Sequence, residues 1–115
     1  MYLIVLVVND PYQCKNLFKA WKEAGVPGAT AIESRGLENA LKDAVRDNLP
    51  LMPTLEDLEN VEEDRNRTMF SVVQDKKTVA EVRKASEKIL GPLEKKESGF
   101  MFVIPVSEAF GLWED

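Results

Sequence analysis

Tyr2–Val8 reads Tyr-Leu-Ile-Val-Leu-Val-Val, and the lack of alternation in it decides the fold. A strand with one wet face alternates apolar and polar residues. An unbroken apolar run means that both faces are covered and that the strand is central in its sheet. The run also resembles the core of a secretion signal, but no basic segment precedes it, no small-residue cleavage site follows, and Asn9-Asp10-Pro11 stops it. It is far below the roughly 20 residues that a membrane span requires. One other segment has the same two-faced character: Thr68–Gln74, with Met69, Phe70, Val72 and Val73. Two central strands therefore organise the sheet.

The neighbouring segments fall into place around them. Asp10 is suited to cap a helix and Pro11 to occupy its first position. Cys14, Leu17, Phe18, Trp21 and Ala24 then share one helical face, while Lys15, Lys19, Lys22 and Glu23 take the other. Gly25 ends this helix, and Pro27-Gly28 turns the chain into a strand, Ala29 to Arg35. Thr30, Glu33 and Arg35 make that strand half polar, which suits an edge. After the third strand the spacing predicts a helix from about Lys76 to Leu90, with Val79, Val82, Ala85 and Ile89 as its buried stripe and Gly91-Pro92 as its stop. A polar loop leads through Gly99 to the last strand, Phe100 to Val106. Pro105 lacks an amide donor, so this strand is expected at the other edge.

The order β-α-β-β-α-β predicts an α+β, ferredoxin-like fold: an antiparallel sheet with two helices on one face. The face away from the helices carries half the side chains of the two central strands and is mostly apolar. Monomers rarely leave such a patch open. Either the insertion between strands two and three folds over it or subunits share it, and sharing is the expectation.

That insertion, residues 37–66, is far longer than an ordinary connection. Leu37, Ala40, Leu41, Ala44 and Val45 form a short amphipathic stripe, expected to order against the body through Leu41 and Val45. Pro50, Pro53 and the acidic residues Glu56, Asp57, Glu59, Glu62, Glu63 and Asp64 follow, and residues 51–64 are expected to be mobile. The acidic stretch does not have the EF-hand pattern and reads as a solvated face.

The 115 residues make one domain, 1–115, with a net charge of −5. That balance argues against nucleic acid or an anionic membrane as the main partner. There is no histidine and one cysteine, Cys14, which removes His-dependent triads, zinc hydrolases and dithiol chemistry together. Cys14 sits on the apolar helix face, where a buried, inert thiol is the default, and a lone cysteine suits the cytoplasm. No serine has a base to activate it. The chain therefore reads as a binding or regulatory module rather than an enzyme, with no metal or catalytic set.

At this point the sequence resembles a known family. VVNDPYQCKNLFKAWKEAGVPGAT (7–30), GATAIESRG (28–36) and GFMFVIPVSEAFGL (99–112) are similar, in order, to the strands and turns of the PII signal-transduction family, the nitrogen regulatory protein P-II-like regulators. The resemblance implies a homotrimer with adenine-nucleotide clefts between subunits, and a long loop after the second strand (segment 37–66) that touches a regulated enzyme or transporter. It implies that Thr30 faces the adenine and that Gly36 lies near the phosphates, with Lys95, Lys96 and Gly99 in the loop that wraps them. Read alone, Thr30 is an ordinary edge-strand threonine, Gly36 a turn glycine, and Lys95 and Lys96 a solvated charged turn.

The departures are specific. Phe100 stands where the family has its phosphate lysine, Glu97 replaces a glycine, and Gly111 and Trp113 stand near the positions of two C-terminal arginines. The insertion has no tyrosine, so the family's uridylylation switch is absent. ATP is therefore expected to bind weakly, and ADP, AMP or another small anionic metabolite better. A structural trimer without a ligand, or a CutA-like metal-tolerance trimer, are the alternatives; the lack of histidine weighs against the latter.

Overall fold

The computed structural model describes residues 1–35, 65–95 and 99–112; of Arg35 and Arg65 it describes the backbone. The expectations placed on Leu41, Val45 and residues 51–64 lie outside the described residues. Among the described residues four strands form one antiparallel sheet: β1 (Tyr2–Val8), β2 (Thr30–Arg35), β3 (Arg65–Val73) and β4 (Phe100–Pro105), in the order β2-β3-β1-β4. The two segments without alternation, β1 and β3, are the central pair, and the strand that carries Pro105 is at an edge. With the helices α1 (Cys14–Glu23) and α2 (Lys76–Leu90), this is an α+β architecture compatible with a ferredoxin-like fold. Among the described residues no helix is long and apolar enough to cross a membrane.

Alternation along β1 sets the layers. Ile4, Leu6 and Val8 are wholly buried. Register places Ser71, Met69 and Arg67 opposite them on β3, and Val103 and Met101 opposite Ile4 and Leu6 on β4. Both helices cover this face: Leu17 and Trp21 from α1 and Val82 from α2 complete the core. Burying each such side chain stabilises the fold by about 1.5–3 kcal/mol relative to exposure.

The structure refines several boundaries. Asp10 and Pro11 begin not an α-helix but a 3₁₀ turn, Pro11–Gln13, which leads into α1. The Asp10 carboxylate accepts the Tyr12 N–H at 3.0 Å, and the Asp10 carbonyl accepts the Gln13 N–H at 3.1 Å. Such i to i+3 bonding is common in the first turn of a helix. β3 starts three residues earlier than its apolar run, at Arg65, because β2 supplies partners for the polar stretch: Glu33 opposite Arg67, Ser34 opposite Asn66, Arg35 opposite Arg65. β2 itself starts at Thr30 rather than Ala29, and β4 ends at Pro105, although the Val106 N–H still donates to the Met1 carbonyl at 3.0 Å.

The buried stripe of α2 also differs from the apolar reading. Its two fully shielded residues are Val82 and Ser86, while Val79, Ala85 and Ile89 are half-buried. Ser86 is satisfied twice: its hydroxyl accepts the Trp21 indole N–H at 2.8 Å and donates to the Val82 carbonyl at 2.8 Å. One buried pair of polar groups thus ties α1 to α2 across the core.

Candidate functional site

The residues of the sheet that point away from the helices form three rows. Thr30, Phe70, Val5 and Phe102 lie side by side; so do Ile32, Thr68, Val7 and Phe100; Val72, Leu3 and Ile104 form the third. Phe100 is 60% exposed, Ile32 51%, Ile104 45% and Phe102 38%. The Phe100 and Phe102 rings lie 5.6 Å apart along the β4 edge. Neither helix reaches this face, because α1 and α2 both pack on the side of Ile4, Leu6 and Val8. It is a continuous apolar surface across all four strands, of the kind that marks an association site.

The sequence-predicted ligand residues distribute around this face as follows. Thr30 is exposed at the start of β2, in the same row as Phe70. Gly36 and Lys96 lie outside the described residues. Lys95 is exposed in the loop after α2, its N–H donating to the Pro92 carbonyl at 3.1 Å. Gly99 immediately precedes β4, on the sheet edge opposite to Thr30. Its φ of +132° suits glycine, and a Cβ there would stand 2.8 Å from the Val7 carbonyl oxygen. One chain therefore does not bring Thr30 and Gly99 together. The cleft expected from the sequence divides them between two chains.

Between α2 and β4, beside Leu93 and Glu94, runs a groove of about 690 Å³. Tyr2, Val79, Ala80, Met101 and Val103 line it, with Arg83 at its side. The Arg83 guanidinium is already held by Glu87 at 3.0 Å and Glu94 at 3.7 Å. The Glu87 carboxylate also accepts the Leu93 N–H at 3.1 Å, so these contacts fix the turn that leads to Lys95.

Cys14 is free and half-buried. Burial pushes its thiol above the ordinary range, Arg67 pulls it down in part, and Asp10 adds to the rise. A protonated thiol is a poor nucleophile and metal ligand, which suits a packing role. Among the described residues no three His, Cys, Asp or Glu side chains are placed to hold a metal ion.

The corner of the sheet beside Cys14 was not singled out by the sequence reading. There Arg67 pairs with Glu33 at 3.2 Å across the β2–β3 ladder, and the Thr68 hydroxyl donates to the Ser34 hydroxyl at 2.8 Å on the other face. The signal was the alternating Arg65-Asn66-Arg67-Thr68, whose polar half reads as loop until β2 is placed beside it. Compared with known proteins, the chain matches no family model and no curated sequence.

Proposed function

We propose that this chain is a PII-like regulatory domain rather than an enzyme. In this reading it is a homotrimer whose subunits cover one another's open sheet faces. A small anionic metabolite or an adenine nucleotide such as ADP or AMP binds between subunits, and a partner enzyme or transporter is regulated through segment 37–66. The domain is ferredoxin-like in this reading, with an insertion between strands two and three. A cytoplasmic setting belongs to it too, in keeping with one free thiol.

The observation that carries the reading is the open apolar face, with Ile32, Phe100, Phe102 and Ile104 exposed together. Cyclic symmetry lets one such surface satisfy every subunit. The ordered resemblance of residues 7–36 and 99–112 to the PII family supports the ligand half. The missing phosphate lysine and arginines set its preference. Each charge-assisted hydrogen bond is worth roughly 1.5–3 kcal/mol, so the loss of about three removes on the order of 5–9 kcal/mol from triphosphate binding.

A thermal-shift series with ATP, ADP, AMP, cyclic nucleotides, 2-oxoglutarate and bicarbonate tests this. A ligand at ten times its Kd adds about 1.4 kcal/mol of stability. The expected order is ADP or AMP above ATP, with the response lost in Lys95→Ala/Lys96→Ala. Tight ATP binding unchanged by that double variant would contradict the site. A trimer that responds to none of these ligands would favour the structural-trimer alternative.

A further inference from the structure

The groove between α2 and β4 has a strand along one wall and a helix along the other. The Val106 N–H bonds to the Met1 carbonyl, and the register of β1 with β4 continues from that pair without a break. Phe100, Phe102 and Ile104 therefore exchange bonds with β1, and the N–H and C=O groups of Met101 and Val103 point the other way. Among the described residues nothing bonds to them, since β4 is the last strand of the sheet. An edge with unpaired backbone groups is a template for another strand.

The side chains of the same two residues floor the groove. Met101 and Val103 stand opposite Leu6 and Ile4 on the helix side of the sheet, yet Val103 is 38% exposed, so α2 does not cover the β4 edge. Lys76, Val79, Ala80 and Arg83 share one face of α2 and make the facing wall. That wall is about 10 Å long at 1.5 Å per residue. A strand added to β4 would send side chains to the groove opposite Met101, Val103 and Pro105, about 6.6 Å apart.

The charges of the groove are uneven. Among the described residues Lys76, Arg83 and Glu94 are the charged ones in its lining. Arg83 is held by Glu87 and Glu94, whereas Lys76 has no ion pair with a described residue. Asp75, next to Lys76, turns its carboxylate to the Thr78 N–H and lines a different cavity, beside Gly25 and Leu112. β3 ends at Val73, opposite Tyr2, and α2 starts three residues later. Lys76 thus marks the end of the groove where Tyr2 pairs with Pro105.

We propose that this groove takes an extended peptide segment of a partner protein, added antiparallel to β4, with the pattern acidic-x-apolar-x-apolar. The acidic side chain lies beside Lys76, opposite Pro105, and the two apolar ones enter the groove opposite Val103 and Met101. Main-chain bonds to the strand edge supply affinity, and the alternate side chains supply selection. The antiparallel sense continues that of the sheet and is the more stable pairing. A small amphipathic acid would fill the same cavity but leave the outward groups of Met101 and Val103 unpaired. The inference uses one chain and does not rest on the trimeric reading.

The test is fluorescence anisotropy of the full chain with the peptide fluorescein-Gly-Ser-Glu-Thr-Val-Thr-Val-Ser-amide. Binding is expected with a Kd below about 1 mM. Methylating the backbone nitrogen of the first valine, which faces Val103, should weaken binding at least about tenfold. Methylating that of the threonine after it, which faces away from β4, should leave binding within about twofold. Lys76→Gln, an exposed position, should weaken binding about two- to fivefold, and that loss should vanish when the peptide's glutamate is replaced by glutamine. Lys88→Gln, in the lining of a different cavity, should change nothing. No binding at about 1 mM peptide, equal sensitivity to the two methylations, or octanoate binding as tightly as the peptide would overturn the proposal. So would a peptide that binds only by splitting an oligomer in light scattering, since the edge would then belong to a second copy. A monomer that binds the peptide contradicts the trimer alone, and a trimer that does not bind it contradicts the groove alone.

Discussion

Replacing Ser86 by alanine tests the buried link between the helices. Ser86 and Trp21 are both wholly shielded from solvent, and the hydroxyl is the acceptor for the indole N–H at 2.8 Å. Removing it leaves a buried donor without a partner, at a cost of about 1–3 kcal/mol. Alanine returns up to about 0.5 kcal/mol through its higher helix propensity. The net expectation is a loss of about 1–2 kcal/mol. For a domain of this size that lowers Tm by about 4–8 °C, from an unfolding entropy of about 2.1 cal/mol/K per residue. The assay is thermal and urea unfolding followed by far-UV circular dichroism, with native and variant at one protein concentration, since association makes Tm concentration-dependent. Trp21→Phe removes the donor, so Ser86→Ala in that background should cost less by on the order of 1 kcal/mol. A neutral or stabilising Ser86→Ala, or strict additivity in the cycle, would refute the claim that this bond ties α1 to α2.

Three further substitutions probe two glycines and a helix cap. Gly99→Ala puts a Cβ 2.8 Å from the Val7 carbonyl at a φ of +132°, and should destabilise the fold by at least about 1–3 kcal/mol. Gly28→Ala, with nothing within 4 Å, should melt within about a degree or two of the native chain. Asp75 caps α2 by accepting the Thr78 N–H at 2.8 Å, and that bond, with the Thr78 side chain's, holds its carboxyl below the usual 3.8. A depressed carboxyl stabilises the fold above its unfolded pKa and loses that contribution as pH falls through the folded value. Asp75→Ala should therefore melt lower than the native chain at pH 6, with the gap closing below about pH 3.8; a gap independent of pH would contradict the cap.

The parts of the fold legible in the sequence are those where one residue's chemistry settles the matter. Tyr2–Val8 and the apolar half of β3 had to lie between other strands because neither offers a wet face, and Pro105 had to lie where a missing amide does no harm. What escaped depended on partners. Ser86 has the spacing of the buried stripe, four residues after Val82 and three before Ile89, but a stripe read by hydrophobicity omits a serine that Trp21 and a backbone carbonyl satisfy. Arg65-Asn66-Arg67 reads as loop until Arg35, Ser34 and Glu33 are set opposite it, and that register is a property of two distant segments together. The proposed cleft was legible only through resemblance. Thr30 and Gly99 sit on opposite sheet edges, and no periodicity within one chain links them.

The trimer is the central claim, and its mass is the direct test. Light scattering behind gel filtration at low micromolar protein should give about 39 kDa, three times the 13.0 kDa chain. Phe102→Glu, which sets a carboxylate on the open face beside Val5, should shift that mass toward 13.0 kDa while circular dichroism shows the fold retained. A native chain that elutes and scatters as a 13.0 kDa monomer would contradict both the trimer and the argument that the apolar face is covered by copies of itself.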